Sequence, residues 1–251
     1  MSGVMSPAAP APAGKKPGRR PAAVVQGLVI GLGFLLMVGC FAVIAVQYRP
    51  YRIPTQSMEP TLRIGDTVVA RSVPADSIGR GDVVVFRDPL WGNSTMVKRV
   101  VAVGGDTVLC CDAQHRLVVN DHPVDEPYVA DPKLDDQRFS TTVPEGRLFL
   151  LGDHRLGSLD SRTHLDLAGG TVAATEVLGR VDATVWPAGR AGVSGRTAAF
   201  DGLPGRPAAE AGPFGLLAFG TALGAGLVLL ASLAGGVASL AGRLRKRVGR
   251  G

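Results

Sequence analysis

Two stretches without a charged residue bracket this chain, and short β-branched segments fill the space between them. The first stretch covers residues 22–47 and is apolar all round; the second covers 213–242 and is richer in Gly and Ala. At 1.5 Å per residue, about 26 residues cross a hydrocarbon core of roughly 30 Å. A helix with no polar face has no solvated side in a soluble protein. Both stretches are therefore expected to be transmembrane helices, over 22–47 and 213–242. Between them, the segments 67–70, 82–86, 96–103, 107–109, 117–119, 148–151 and 181–185 are rich in Val, Ile, Leu and Thr, and Gly, Pro, Asp and Asn separate them. Such punctuation marks strands and turns, and no long amphipathic helical period interrupts it. The pattern predicts a mostly β fold over 48–187, an antiparallel sheet or barrel-like domain carried by an N-terminal and a C-terminal transmembrane helix.

Charge sharpens this picture. The formal net charge is +6. Lys15, Lys16, Arg19 and Arg20 precede the first run, and Arg243, Arg245, Lys246, Arg247 and Arg250 follow the second. The remainder carries 18 basic and 21 acidic residues, a net of −3. A nucleic-acid binder places its basic patch on the folded domain, so no nucleic-acid partner is expected. Basic residues beyond the outer ends of both spans instead place both termini in the cytoplasm and the β domain outside, next to the lipid bilayer. A cleaved signal sequence is the competing reading of the first run, with Val43 and Ala45 as small residues, but the run exceeds the roughly 7–15-residue core of such signals. Residues 1–21, rich in Pro, Ala and Gly, are expected to be a disordered cytoplasmic tail, residues 188–212 a flexible link, and 243–251 a basic cytoplasmic tail.

Cysteine and histidine exclude more. Three Cys do not staple a scaffold, and the four His show no pairing with Cys of the zinc type, so no metal is expected. Adjacent Cys110 and Cys111 can close a small ring, stay reduced or bridge to another chain. Arg80-Gly81-Asp82 reads as a turn entering the next strand in preference to an adhesion tripeptide.

Three segments carry candidate chemistry. In the first, Ser57 lies between Pro54 and Pro60, a few residues past the first span. A serine hydroxyl is a weak nucleophile and needs a base. His154 beside Asp153 is one candidate, a carboxylate another, and Lys98 a third. Side chains alternate along a strand, so Lys98 shares a face with Met96 and Val100 while Arg99 points the other way. Desolvation lowers a lysine from its usual ~10.4 by up to about 3–5 units when fully buried, and a neutral amine accepts a serine proton. A lysine whose stem lies along the sheet with its head in water is the other reading of this segment. In the third segment, 152–162, Asp153, Arg155, Ser158, Asp160 and Arg162 crowd a loop after an apolar strand. Such density suits a solvated loop or a salt-bridged scaffold, and Ser158 is placed to donate a hydrogen bond to the lysine amine.

Together these segments resemble the type I signal peptidases, membrane-bound serine proteases of the S26 type that work through a Ser/Lys dyad. SMEPTL around Ser57, GDTVVARS with GRGDVVVF, VKRVVAVGGD around Lys98 and GDHRLGSLDSR follow the family's order behind an anchor. The resemblance covers most of residues 48–187. It implies a serine endopeptidase that removes signal peptides from exported preproteins at the outer face of the membrane. Ser57 would be the nucleophile and Lys98 the general base. The Thr55 hydroxyl and Ser57 N–H would form the oxyanion hole. Ser158 would orient the lysine, with Asp160, Arg162, Asp153 and Arg155 in support. Ile53, Met58, Leu62, Met96 and Val97 would line shallow substrate pockets for small side chains. No cofactor is implied. Implied partners are secretory preproteins with A-x-A-type cleavage sites and, by association, the export machinery. His154 departs from the family's usual Asn, and the second span is an addition to many members. A catalytically idle, membrane-tethered β domain that binds an envelope partner is the alternative of a different class.

Overall fold

The computed structural model describes residues 21–129, 138–205 and 207–249. The disordered tail expected over 1–21 lies, but for Pro21, outside the described residues, as do the last two residues of the basic tail. Two compact units emerge: a helical pair from residues up to 38 and from 221 onward, and a β domain over 39–220.

The helical pair comes from α1 (Pro21–Gln47) and α2 (Phe214–Val248). Both are long and apolar enough to cross a membrane, and side chains such as Leu28, Leu32, Leu229 and Leu230 face outward. The helices touch where neither carries a side chain. A Cβ on Gly33 would lie 2.9 Å from the Gly224 carbonyl oxygen, and one on Gly224 would lie 2.5 Å from that of Gly33. Small residues permit this close approach in lipid, where packing rather than hydrophobicity drives helix association. Gln26 Nε2 adds a 2.9 Å hydrogen bond to the Ala231 carbonyl.

Twelve strands are described in the β domain: β1 (Tyr48–Arg52), β2 (Thr67–Arg71), β3 (Val83–Arg87), β4 (Thr95–Val103), β5 (Thr107–Cys110), β6 (Leu117–Val119), β7 (His122–Pro123), β8 (Phe139–Thr142), β9 (Arg147–Leu151), β10 (Thr171–Ala173), β11 (Val177–Trp186) and β12 (Gly192–Val193). The larger sheet runs β1-β2-β11-β3-β4-β9-β10, with β12 on β11; the smaller runs β7-β6-β5-β8. All pairings between these strands are antiparallel. Register shifts in β11 and at Val100/Ala102 of β4 mark bulges, which bend a strand and increase its twist, and so curl the larger sheet into a half-barrel. The seven strands expected from hydrophobic patterning are all present. β1 escapes that pattern because YRPYR is polar and holds a proline, which an edge strand tolerates.

Residues 188–212 are expected to be a flexible link; those described, 188–205 and 207–212, instead lie against the sheet. β12 pairs with β11, and the Ser194 N–H donates to the Asp182 carbonyl at 2.8 Å. Phe200 and Leu203 enter the core beside Leu117, Phe149 and Leu151. Arg80 donates to the Pro204 carbonyl at 2.9 Å, and the Ala209 N–H donates to Asp82 Oδ1 at 3.3 Å. Gly81 (φ +96°) is needed beneath this strap, because a Cβ there would sit 2.7 Å from Thr197. Composition misleads here: two apolar anchors and several buried arginines hold a segment otherwise made of Gly, Pro and Ala. The same contacts bury Arg80 and Asp82, so the tripeptide is a turn and not an exposed adhesion site.

Candidate active site

Ser57 sits on the loop between β1 and β2, which closes on itself through Leu62 N–H to the Met58 carbonyl (2.8 Å) and Gly65 N–H to the Ile53 carbonyl (2.9 Å). Met58, Leu62 and Ile53 anchor it in a core with Val68, Val85 and Val181. Lys98 lies in β4 opposite Val84 of β3, because its neighbours Val97, Val100 and Val101 dictate a buried strand. The two side chains meet: Lys98 Nζ is 2.9 Å from Ser57 Oγ, and the residues are 4% and 8% exposed. Burial pushes the Lys98 amine down, opposed by the charges of Asp160 and Asp153. Thr55 Oγ1 stands 3.2 Å from the same serine oxygen.

The loop after β9 surrounds this pair. Arg162 grips Asp160 through two contacts of 2.9 Å, and Asp160 also accepts from the Gly152 N–H at 3.1 Å. These two residues, which need not pair from spacing alone, do pair. Asp153 accepts from Arg99 Nε at 2.8 Å and Nη2 at 2.6 Å, and from Thr61 Oγ1 at 2.5 Å. The Ser57 loop is thus tied to the strand behind it. Arg155 donates to the Gly152 carbonyl at 3.0 Å and to Glu126 at 2.8 and 2.6 Å.

Two expectations need correction. Ser158 is buried, but among the described residues its hydroxyl makes no hydrogen bond, and so none to Lys98. It packs instead against Gly152, where an added Cβ would lie 2.3 Å from Ser158 Oγ. Leu62 is a core residue, 3% exposed, and does not line the cleft beside the dyad. That cleft, about 270 Å³, runs between residues 51–58 and 95–98, with Ile53, Met58, Met96 and Val97 in its walls. His154 does not contact the serine hydroxyl. Its backbone N–H donates to the Ser57 carbonyl at 3.1 Å, and its ring lies over Gly157, where a Cβ would meet Nδ1 at 2.6 Å.

Sequence reasoning missed Arg99, Thr61, Glu126, Tyr128 and Gly152. Arg99 was open to detection: a charged residue opposite the lysine in an apolar strand is buried too, and must find a carboxylate. Its guanidinium also stacks 4.0 Å over the Tyr128 ring, whose phenol is pushed well up by burial and by Glu126. Glu126 and Tyr128 lie in a polar loop without periodicity and gave no signal. The Cys110–Cys111 pair forms a disulfide at the end of β5, and among the described residues no cluster of His, Cys, Asp or Glu is arranged to hold a metal.

The family model for signal peptidase, peptidase S26, matches residues 25–186. A signal peptidase I of Mycobacterium tuberculosis (strain ATCC 25618 / H37Rv) is 33% identical over 215 residues, covering 64% of this chain and 73% of that protein. Signal peptidase I U of Bacillus subtilis (strain 168) is 31% identical over 159 residues, covering 59% and 81%. Among solved structures, a signal peptidase I from Enterococcus faecalis V583 is 30% identical and covers 43% of this chain and 97% of its own, with a TM-score of 0.35.

Proposed function

The chain belongs to the S26 signal peptidase family, and from that membership we propose that it is a membrane-anchored signal peptidase I whose nucleophile is Ser57 and whose general base is Lys98. The observation that carries this reading is the 2.9 Å approach of a desolvated amine to a buried hydroxyl. With Lys98 neutral, the Ser57 O–H donates to Nζ, and Oγ attacks the scissile carbonyl as the proton moves to the amine. The Ser57 N–H and the Thr55 hydroxyl receive the developing oxyanion, each such donor lowering the barrier by roughly 2.7–4 kcal/mol. Lys98 then returns its proton to the leaving amine and activates the water that releases the acyl group. Arg99, Asp153, Asp160 and Arg162 fix the geometry without touching the substrate.

The substrate is an exported preprotein whose signal peptide is still in the membrane. Its A-x-A region lies extended beside the Thr95–Val103 strand, small side chains facing Ile53, Met58, Met96 and Val97. Basic residues outside both spans favour cytoplasmic termini, a catalytic domain on the far side, and cleavage beside the export machinery. An idle tethered domain would have no use for an uncharged lysine held out of water. The test is processing of a full-length precursor whose signal peptide ends in A-x-A. Ser57→Ala and Lys98→Ala each abolish cleavage, whereas His154→Ala retains most of it. An active Lys98→Ala beside a dead His154→Ala would overturn the dyad.

A further inference from the structure

The cleft beside the dyad is electrically one-sided. Among its lining residues the charged side chains are Arg52 and Lys98, and burial holds Lys98 toward its neutral form. Among the described residues, Arg52, charged at every working pH, is therefore the one fixed charge on these walls, and no carboxylate lines them. It is exposed, and among the described residues its guanidinium makes no hydrogen bond or ion pair. Thr95 lies on the opposite wall, and its hydroxyl accepts from Arg87 Nη2 at 2.9 Å and from Nε at 3.3 Å. Arg87 is also exposed and, among the described residues, also lacks a carboxylate partner. Among the described residues, the domain's five buried arginines each have one: Arg80 pairs with Asp106, Arg99 with Asp153, Arg155 with Glu126, Arg162 with Asp160 and Arg180 with Asp82 and Asp182.

We propose that Arg52, seconded by Arg87, makes this cleft select precursors that carry a carboxylate just before the scissile bond. The proposal rests on the cleft being the substrate channel. Side chains alternate along an extended peptide. When those at −1 and −3 enter the apolar walls, those at −2 and −4 face the rim, toward Arg52 on one wall and toward Thr95, to which Arg87 donates, on the other. Exposed ion pairs are individually weak, so the selection amounts to about two- to fivefold in kcat/KM. It falls on KM, because the carboxylate is bound equally in ground and transition states.

The test uses the full-length protein in neutral detergent and A-x-A peptides that differ only by Asp or Asn, at −2 in one pair and at −4 in another. The expected Asp:Asn ratio of kcat/KM is about two to five at low salt. It approaches one in molar salt, where the screening length is about 3 Å. Arg52→Gln lowers the ratio, and Arg52→Glu reverses it. Equal rates for both peptides at both positions in the wild type would overturn the proposal. So would a ratio unchanged in the Arg52→Gln/Arg87→Gln double variant. If the double variant alters only the response to phosphatidylglycerol vesicles, the guanidinium groups serve lipid and the proposal fails. Failure of the wild type to cleave even the Asn peptides would instead overturn the protease reading on which it stands.

Discussion

Gly152→Ala is the most demanding substitution the site offers, because it adds one methyl group where three parts of the machinery converge. The new Cβ would lie 2.3 Å from Ser158 Oγ, 2.5 Å from Ser158 Cβ and 2.5 Å from the Ser57 carbonyl oxygen. Ser158 Oγ ends a side chain and can rotate; the Ser57 carbonyl is backbone and cannot. Real Cβ contacts essentially never fall below 3.0 Å, so the nucleophile's own peptide must retreat by at least about 0.5 Å, or the Gly152 loop must move away. The loop is not free, since the Gly152 N–H donates to Asp160 and its carbonyl accepts from Arg155. Forcing atoms into a packed core costs about 1–3 kcal/mol, and misplacing a reacting group by ~1 Å costs on the order of 10²-fold in rate. The expected result is therefore a loss of ten- to a hundredfold in kcat/KM on an A-x-A peptide, with the thermal midpoint lowered. Gly189→Ala serves as control, because nothing lies within 4 Å of its added Cβ. Gly152→Ala enzyme working within threefold of wild type would refute the claim that the backbone of this loop holds the serine in place.

Activity should rise with pH as Lys98 loses its proton, along a limb displaced below the usual lysine range, because burial pushes the amine down. A flat kcat/KM from pH 5 to 9, with chemistry rate-limiting, would count against a titrating amine. Between the depressed native pKa and the unfolded one the unfolded chain binds the extra proton, so stability also rises with pH in that window; Lys98→Met should flatten this slope in urea titrations. Asp160→Asn strands a buried Arg162 and should cost about 3–5 kcal/mol of stability, as breaking a buried pair does; a loss under about 1 kcal/mol in chemical denaturation would mean the pair is dispensable. Phe200→Ala empties a fully buried site in the strap and should cost about 3–5 kcal/mol. A thermal midpoint that does not move would mean that residues 188–212 are a loose link after all.

What was legible in the sequence follows from how far apart cause and effect lie along the chain. The seven patterned strands and both apolar helices are local facts, written in runs of side chains that must leave water. Ser57 and Lys98 drew notice locally, a hydroxyl between prolines and a cation among valines, but their neighbours left the base open among His154, a carboxylate and Lys98; the family's motif order singled out the pair that lies 2.9 Å apart. The polar supports were not, because a buried ion pair joins distant residues and either partner alone looks like a surface charge. Asp153 meets Arg99 across 54 positions, and Arg155 meets Glu126 across 29. The strap failed differently. Its Gly, Pro and Ala content reports low propensity for helix or strand, which is correct, yet low propensity does not mean freedom when the partner surface supplies the order. Phe200 and Leu203 bring apolar area into a core that strands β5, β6 and β9 leave open, and the arginines beneath donate to carbonyls that no sheet or helix satisfies. Those donors come from Arg80 and Arg180, on the strands and turn that also present Gly81, whose carbonyl accepts from Arg99 beside Lys98. The segment that composition assigns to a tether is therefore part of the wall behind the dyad.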